Sequence, residues 1–380
     1  MRLSALGGVA VLATTAGACQ VVQNARAGLE ISDAAERLLA WEGVTVVATV
    51  DATPEQIHDY LVSTGAREPT DAQARLLADL ELTVSLGRPA DEVALNDLEA
   101  GDPLSGAMTV NFGGRDVAGV KQLEGTTYVR LGGEAVIEDV YGGGEAAVSA
   151  AERFERDAAG LPASLGTAAL ALQGEWVQVE PFEADAYADA LSEHGGVPTG
   201  TADAAAGALT DAAELLDPET LWDAADRAEA TLRSSASLRD AGEERGAELI
   251  DVRMPAGEAH QAVEPLLTLL NEQGARFGLP PLADEPADPG ATVTSRLSIR
   301  NGVLANASVD LAQFSAEDAP ALPLGLALTG GSALNLNPPE TEGEPLTPDD
   351  LAVALMYLAE ENEARTEDDS RADIPGPIQP

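Results

Sequence analysis

Residues 293–311 read VTSRLSIRNGVLANASVDL. Val293, Ser295, Leu297 and Ile299 alternate with Thr294, Arg296, Ser298 and Arg300, so every second side chain falls on the same face of an extended strand. Asn301-Gly302 follows, a pair that tolerates the positive φ angles of a two-residue hairpin. Val303, Ala305, Ala307, Val309 and Leu311 lead out again. Two antiparallel strands joined by a tight turn are therefore expected.

The same grammar recurs upstream. Met108, Val110 and Phe112 alternate before Gly113-Gly114. Val117 to Leu123 returns, Glu124-Gly125 turns, and Thr126 to Leu131 comes back, a three-stranded meander. Val44 to Val50, Leu82 to Leu86, Glu175 to Glu180 and Leu249 to Val252 read as further strands, and Pro323 to Leu328 as an edge strand. Between the strand groups lie helical patterns. Thr53-Pro54-Glu55-Gln56 carries a Thr cap, a Pro at the first helical position and a Gln three after the cap. Ala72 to Leu80, Ala147 to Ala158, a piece before Gln173 and Phe182 to Leu191 continue the series. A long helix is expected from Asp217 through Leu221, Trp222, Ala225, Ala228 and Leu232. Another starts at Pro255 and carries Val263, Leu266, Leu267, Leu270 and Phe277 on one side, with Leu269 widening the stripe. Thr347-Pro348-Asp349 caps a last helix. Residues 196–207 read as a flexible loop and 280–289 as a Pro/Asp loop. Antiparallel hairpins with helices between strand groups make an α+β chain rather than repeated βαβ units.

The N-terminus has a different logic. Met1-Arg2 precedes an apolar run from Leu3 to Leu12, and Thr14-Thr15-Ala16-Gly17-Ala18-Cys19 closes it. A positive start, a short apolar core and a small-residue exit form a secretory signal peptide, too short for the ~20 apolar residues of a bilayer span. Cys19 is the single cysteine. Small residues before a lone Cys resemble a bacterial lipobox, which implies cleavage before Cys19 and a diacylglyceryl thioether on its sulfur. Ala16-x-Ala18 also fits ordinary signal peptidase, which would leave a secreted chain with a free thiol. A lone exposed thiol is a liability in an oxidising compartment, and lipidation removes it.

The chain has 65 Asp and Glu against 21 Lys and Arg, a formal net charge of −44. Lys121 is the single lysine. Such a balance disfavours nucleic acid, whose phosphates need cationic partners, and keeps the body off anionic headgroups. Solubility accounts for it better than a metal site does. Aromatic residues are 3% of the chain, so Ala, Val and Leu must build the core.

Catalytic patterns are missing. His58, His194 and His260 lie far apart, in or just past predicted helices, and read as surface or packing residues. There is no His-Glu-x-x-His helix, no Gly-x-Ser-x-Gly elbow and no thiolate pair for zinc. Gly142-Gly143-Gly144 lacks the Lys-Ser/Thr of a phosphate loop. Asp349-Asp350 suits a helix N-terminus, and Glu360-Glu361 lies in a solvated tail. No cofactor, metal or enzymatic activity is expected.

Gly125-Thr126-Thr127-Tyr128-Val129-Arg130 with Glu175-Trp176-Val177-Gln178-Val179 resembles a strand pair of actinobacterial envelope lipoproteins of the LppX/LprG type. Leu297 to Leu304 with Val309-Asp310-Leu311 resembles their late strands. The resemblance implies the LolA/LolB fold: a curved antiparallel sheet, an unclosed barrel, with amphipathic helices across its concave face and an apolar cavity for acyl chains between them. The family joins its Tyr-Val and Trp-Val strands by a short loop, where this chain inserts residues 132–174.

The expected organisation is a signal peptide over 1–18, a lipidated N-terminus and tether (or opening helix) over 19–40, and a LolA-like domain over 41–330 with a helical excursion at 132–174. A C-terminal segment and helix occupy 331–359, and a disordered acidic tail 360–380. The function that follows is a non-enzymatic lipoprotein, anchored outside the cytoplasm at Cys19. It would bind lipid or another apolar ligand against Val263, Leu266, Leu267, Leu270 and Phe277. The alternative is a ligand-free interaction or accessory module, in which the same stripe only fills a core.

Overall fold

A computed structural model describes residues 20–372, apart from 65–68, 89–92, 99–101, 141–142, 218–219, 221–226, 228–229, 232, 277–280, 283–285, 316–318, 332–335 and 340–342. The segment expected as a signal peptide and Cys19 therefore lie outside the described residues, as does most of the helix expected from Asp217. The chain divides into two compact units. The first joins the chain up to Gly125 with Asp211–Pro338, and the second joins Thr126–Thr210 with the chain from Pro339 onward.

The fold is α+β, with one large antiparallel sheet that does not close into a barrel. In the first unit the strands are β1 (Gly43–Val50), β2 (Leu80–Gly87), β3 (Ser105–Phe112), β4 (Arg115–Leu123), β7 (Ser237–Glu244), β8 (Ala247–Pro255), β9 (Thr292–Arg300), β10 (Val303–Asp310) and β11 (Pro323–Gly330). They run in the order β4-β3-β2-β1-β11-β10-β9-β8-β7. The turn chemistry is as expected: Gly113 and Gly114 have φ of 56° and 82°, and Asn301 and Gly302 have 54° and 73°. Two elements differ from expectation. β11 is not an edge strand but lies between β1 and β10. Its Pro323 takes the first position, where a missing N–H costs least. And β7, whose sequence SLRDAGEE has no apolar alternation, is a strand because β8 offers it an edge.

The apolar face of this sheet is buried. Val44, Ala48 and Val50 of β1, Leu82, Met108 and Val120 of β2–β4, Leu324 and Val309 of β11 and β10, and Leu297 and Ile250 of β9 and β8 are all buried. Helices α1 (Gln20–Leu39), α2 (Pro54–Ser63), α3 (Asp71–Asp79) and α8 (Ala256–Arg276) build the rest of this core. Thr53 and Thr70 each close a full capping box at the start of α2 and α3, worth about 1 kcal/mol per cap. Tyr60 is fully buried, and its hydroxyl donates to the Leu282 carbonyl at 2.6 Å.

Residues 20–39 take the opening-helix alternative rather than that of a tether. α1 packs on β7 and β10 through Ala27, Ile31, Ala34, Ala35 and Leu38. The leucines alone were too sparse to reveal this, and Leu29 is exposed. Alanines at helical spacing complete the face. Lys121 is buried on β4, where its ammonium donates to the Asn337 carbonyl at 3.4 Å.

The second unit holds β5 (Thr126–Leu131) paired antiparallel with β6 (Val177–Val179). Around the pair lie α4 (Glu145–Ala158), α5 (Gly166–Leu172), α6 (Ala184–His194), α7 (Thr199–Leu215, whose last residues lie past the unit boundary) and α9 (Pro348–Ala372). The segment expected as a flexible loop over 196–207 is largely α7. Its alanine-rich sequence from Thr199 favours helix strongly. The acidic tail expected from Glu360 instead continues α9 to Ala372, because Glu, Ala and Arg are good helix formers.

Candidate functional site

β5 and β6 present Val129, Leu131, Val177 and Val179 to one apolar cavity of about 520 Å³. Every lining residue belongs to the second unit. The volume lies within the ~300–1,000 Å³ typical of small-molecule sites.

Three helices face it with one pattern. α4 contributes Ala147, Ala150, Ala151 and Phe154; α6 contributes Ala184, Tyr187, Ala188 and Leu191; α7 contributes Ala202, Ala205, Ala206 and Leu209. Each set is spaced i, i+3, i+4, i+7, the single face of a helix. Small residues dominate, with one larger side chain, Phe154, Leu191 or Leu209, closing each set. Leu351 and Leu355 of α9 complete the wall. Phe182 and Leu191 are only half-buried, as are Val129 and Leu172. They are apolar surfaces left without a covering side chain.

α9 and the segment before it are fixed to the strand pair. The Leu346 N–H donates to the Gln178 carbonyl at 2.7 Å, and the Glu180 N–H donates to the Leu346 carbonyl at 3.2 Å. The Tyr187 hydroxyl donates to that same carbonyl at 2.6 Å. Burial, with Asp350 and Glu183 nearby, pushes the Tyr187 phenol up to about 12. At Thr347 the hydroxyl accepts from the Asp350 N–H at 3.1 Å, the expected cap of α9.

The charged lining residues are Arg130, Glu134, Glu155 and Glu175. Arg130 donates to the Gly174 carbonyl at 2.7 Å. Glu155 accepts the Glu134 N–H at 3.3 Å. Its carboxyl is held above the usual range by burial, with Glu134 and Glu152 adding repulsion and the hydrogen bond pulling the other way. Among the described residues, no Ser, Cys or His lines the cavity. Among the described residues, no group of His, Cys, Asp and Glu is arranged to hold a metal ion, and no helix is long and apolar enough to cross a membrane.

The residues expected to line a ligand site lie elsewhere. Leu267 and Leu270 are buried in the first unit's core at 2% and 5% exposure, and Val263 is half-buried on the same helix. None of the three lines this cavity. Nothing is described of the Leu266 side chain or of Phe277. His260 packs edge-on against Phe314, with ring centroids 5.8 Å apart. His58 and His194 lie beside their neighbours Asp59 and Glu193 at 3.9 Å. The walls of this cavity do not stand out in the sequence because alanine reads as weak apolar signal. The repeated i, i+3, i+4, i+7 alanine pattern within 147–209 was the available clue.

No family model matches the sequence, and no curated protein matches it.

Proposed function

We propose that this protein is a non-enzymatic lipoprotein, anchored outside the cytoplasm through Cys19, that holds a lipid or similar apolar ligand in the cavity of its second unit. The observation that carries the reading is the cavity itself. Its wall is apolar and half-buried, and about 520 Å³ holds roughly seventeen groups of a water's ~30 Å³, the bulk of one long acyl chain. Burying such a chain contributes ~0.8 kcal/mol per methylene, enough for binding without a charged partner. Tyr187 carries the one neutral hydroxyl among the described residues of the wall. It is tied to a backbone carbonyl and raised far from neutral pH, which suits structure rather than proton transfer. Ala16-Gly17-Ala18-Cys19 supports the anchor. The packed surroundings of Leu267 and Leu270 favour the ligand-free module only for the first unit.

Two measurements test the reading. Organic extraction of the purified protein followed by mass spectrometry should release a stoichiometric apolar molecule. Detergent-phase partitioning should be lost in Cys19→Ala. A protein that yields no such molecule and takes up no fluorescent fatty acid refutes the ligand. Aqueous partitioning of the unmodified chain refutes the anchor.

A further inference from the structure

The cavity of the second unit is charged at one end. Among the described residues, its exposed lining is Gly133, Ala147, Ala150, Phe154 and Glu175. It therefore opens between α4 and the segments that leave β5 and enter β6. Its buried wall includes Ala184, Ala188, Ala202 and Ala206, with Leu351 and Leu355. The charged lining residues Arg130, Glu134, Glu155 and Glu175 gather at the open end. Two sets of contacts bring them there. The Glu155 carboxylate accepts the Glu134 N–H at 3.3 Å. Gly174, which accepts from Arg130 at 2.7 Å and precedes Glu175, is packed on Gly132. A Cβ at Gly174 would stand only 3.2 Å from the Gly132 Cα. Acids outnumber bases throughout the chain. What the fold adds is their placement at the mouth, with an uncharged wall behind.

That placement sets how an amphiphile enters. Its tail gains by leaving water for the buried wall, whereas a polar head buried there would lack partners. The head therefore stays at the mouth, beside three carboxylates and one guanidinium, an excess of negative charge. The Tyr187 hydroxyl is already bonded to the Leu346 carbonyl. Arg153 and Arg156 of α4 are exposed, donate to the Ser149 and Glu152 carbonyls at 3.1 Å, and do not line the cavity. The mouth already resists negative charge. Burial, with repulsion from Glu134 and Glu152, holds the Glu155 carboxyl above the usual range against the pull of its hydrogen bond. A further like charge at ~4 Å costs about fivefold in affinity even at the dielectric constant of water.

We propose that this cavity takes its occupant tail first and selects a head without negative charge, an alcohol, ester or amine rather than an anion. The inference rests on the cavity being a ligand site, and the test separates the two. The folded full-length protein is loaded with the neutral probe N-phenyl-1-naphthylamine, whose fluorescence rises in apolar surroundings. The probe is then displaced at neutral pH by dodecanol, dodecylamine or dodecanoate. The three share one tail, so their differences report the head. Dodecanoate should bind at least fivefold more weakly than dodecanol, and dodecylamine at least as tightly as dodecanol. Glu155→Gln with Glu175→Gln leaves one guanidinium against one carboxylate, and the glutamine at 155 keeps an acceptor for the Glu134 N–H. In that variant dodecanoate should draw level with dodecanol, while dodecanol affinity and melting temperature hold. Glu175→Gln alone, at an exposed position, should give part of the gain. Displacement by all three heads alike overturns the head preference and leaves the ligand site standing. Dodecanoate as the tightest of the three overturns it too, as does a preference unchanged in the double variant. A protein that takes up neither the probe nor any of the three loses the ligand site, and the proposal with it.

Discussion

Replacing Ala205 with Trp distinguishes a ligand cavity from a packing fault. Ala205 is half-buried on α7 and faces the cavity. Tryptophan adds nine ring atoms beyond Cβ. At no more than ~30 Å³ each they fill up to ~270 Å³, about half of the roughly 520 Å³ available. An acyl chain would lose room for about nine methylenes, each worth ~0.8 kcal/mol, so binding should weaken by ~7 kcal/mol. Folding should hold or improve, because the indole covers apolar wall that now meets solvent. In a close-packed wall the same insertion costs ~1–3 kcal/mol. Titration with a fluorescent fatty acid beside a urea melt reads both quantities. The reasoning fails if the variant is destabilised by that amount and the unaltered protein binds no fatty acid. Undiminished binding by a folded variant would place the ligand elsewhere.

Leu267→Trp should behave in the opposite way. Leu267 is 2% exposed, so overpacking should cost ~1–3 kcal/mol in a urea melt and leave fatty-acid uptake unchanged. Tyr187→Phe removes one hydrogen bond, ~0.5–1.5 kcal/mol at neutral pH. The folded phenol is raised to about 12, so its contribution is fully present below the unfolded value of ~10 and is lost as pH rises between the two. The variant should lack that alkaline decline in a pH series of melts. Finally, the melting temperature should rise with added NaCl, since −44 formal charges repel one another and salt screens them. A falling melting temperature would count against it.

The strands were legible where a period of two was written in large residues. The Asn301-Gly302 hairpin, the Gly113-Gly114 turn and the Thr53 capping box each carry a local signal that no tertiary contact needs to supply. β7 was not legible: Ser237 to Glu244 has no buried pattern beyond Leu238, and only the neighbouring edge of β8 makes it a strand. The long Val263–Phe277 stripe drew attention because leucines carry most of the apolar signal in a sequence. Where described, it is core. The cavity was hidden for the converse reason. Its helices turn alanines inward, and an alanine reports neither burial nor exposure by itself. That residues 132–174 join Phe182 to Thr210 and the C-terminal helix in one unit depends on contacts remote in sequence. One of them is the Tyr187 hydroxyl on the Leu346 carbonyl, 159 positions away.

The alanine wall also has a genetic consequence. Eight of the thirteen positions that α4, α6 and α7 turn to the cavity are alanine. A single base change converts any alanine codon to valine, and only glycine is smaller. Heritable variation at these positions therefore runs almost entirely one way, toward a narrower bore. Each step would trim the longest occupant while leaving the helices, their caps and the strand pair beneath them unaltered. In the proposed lipid-binding function, the permitted chain length would thus drift with no change of fold.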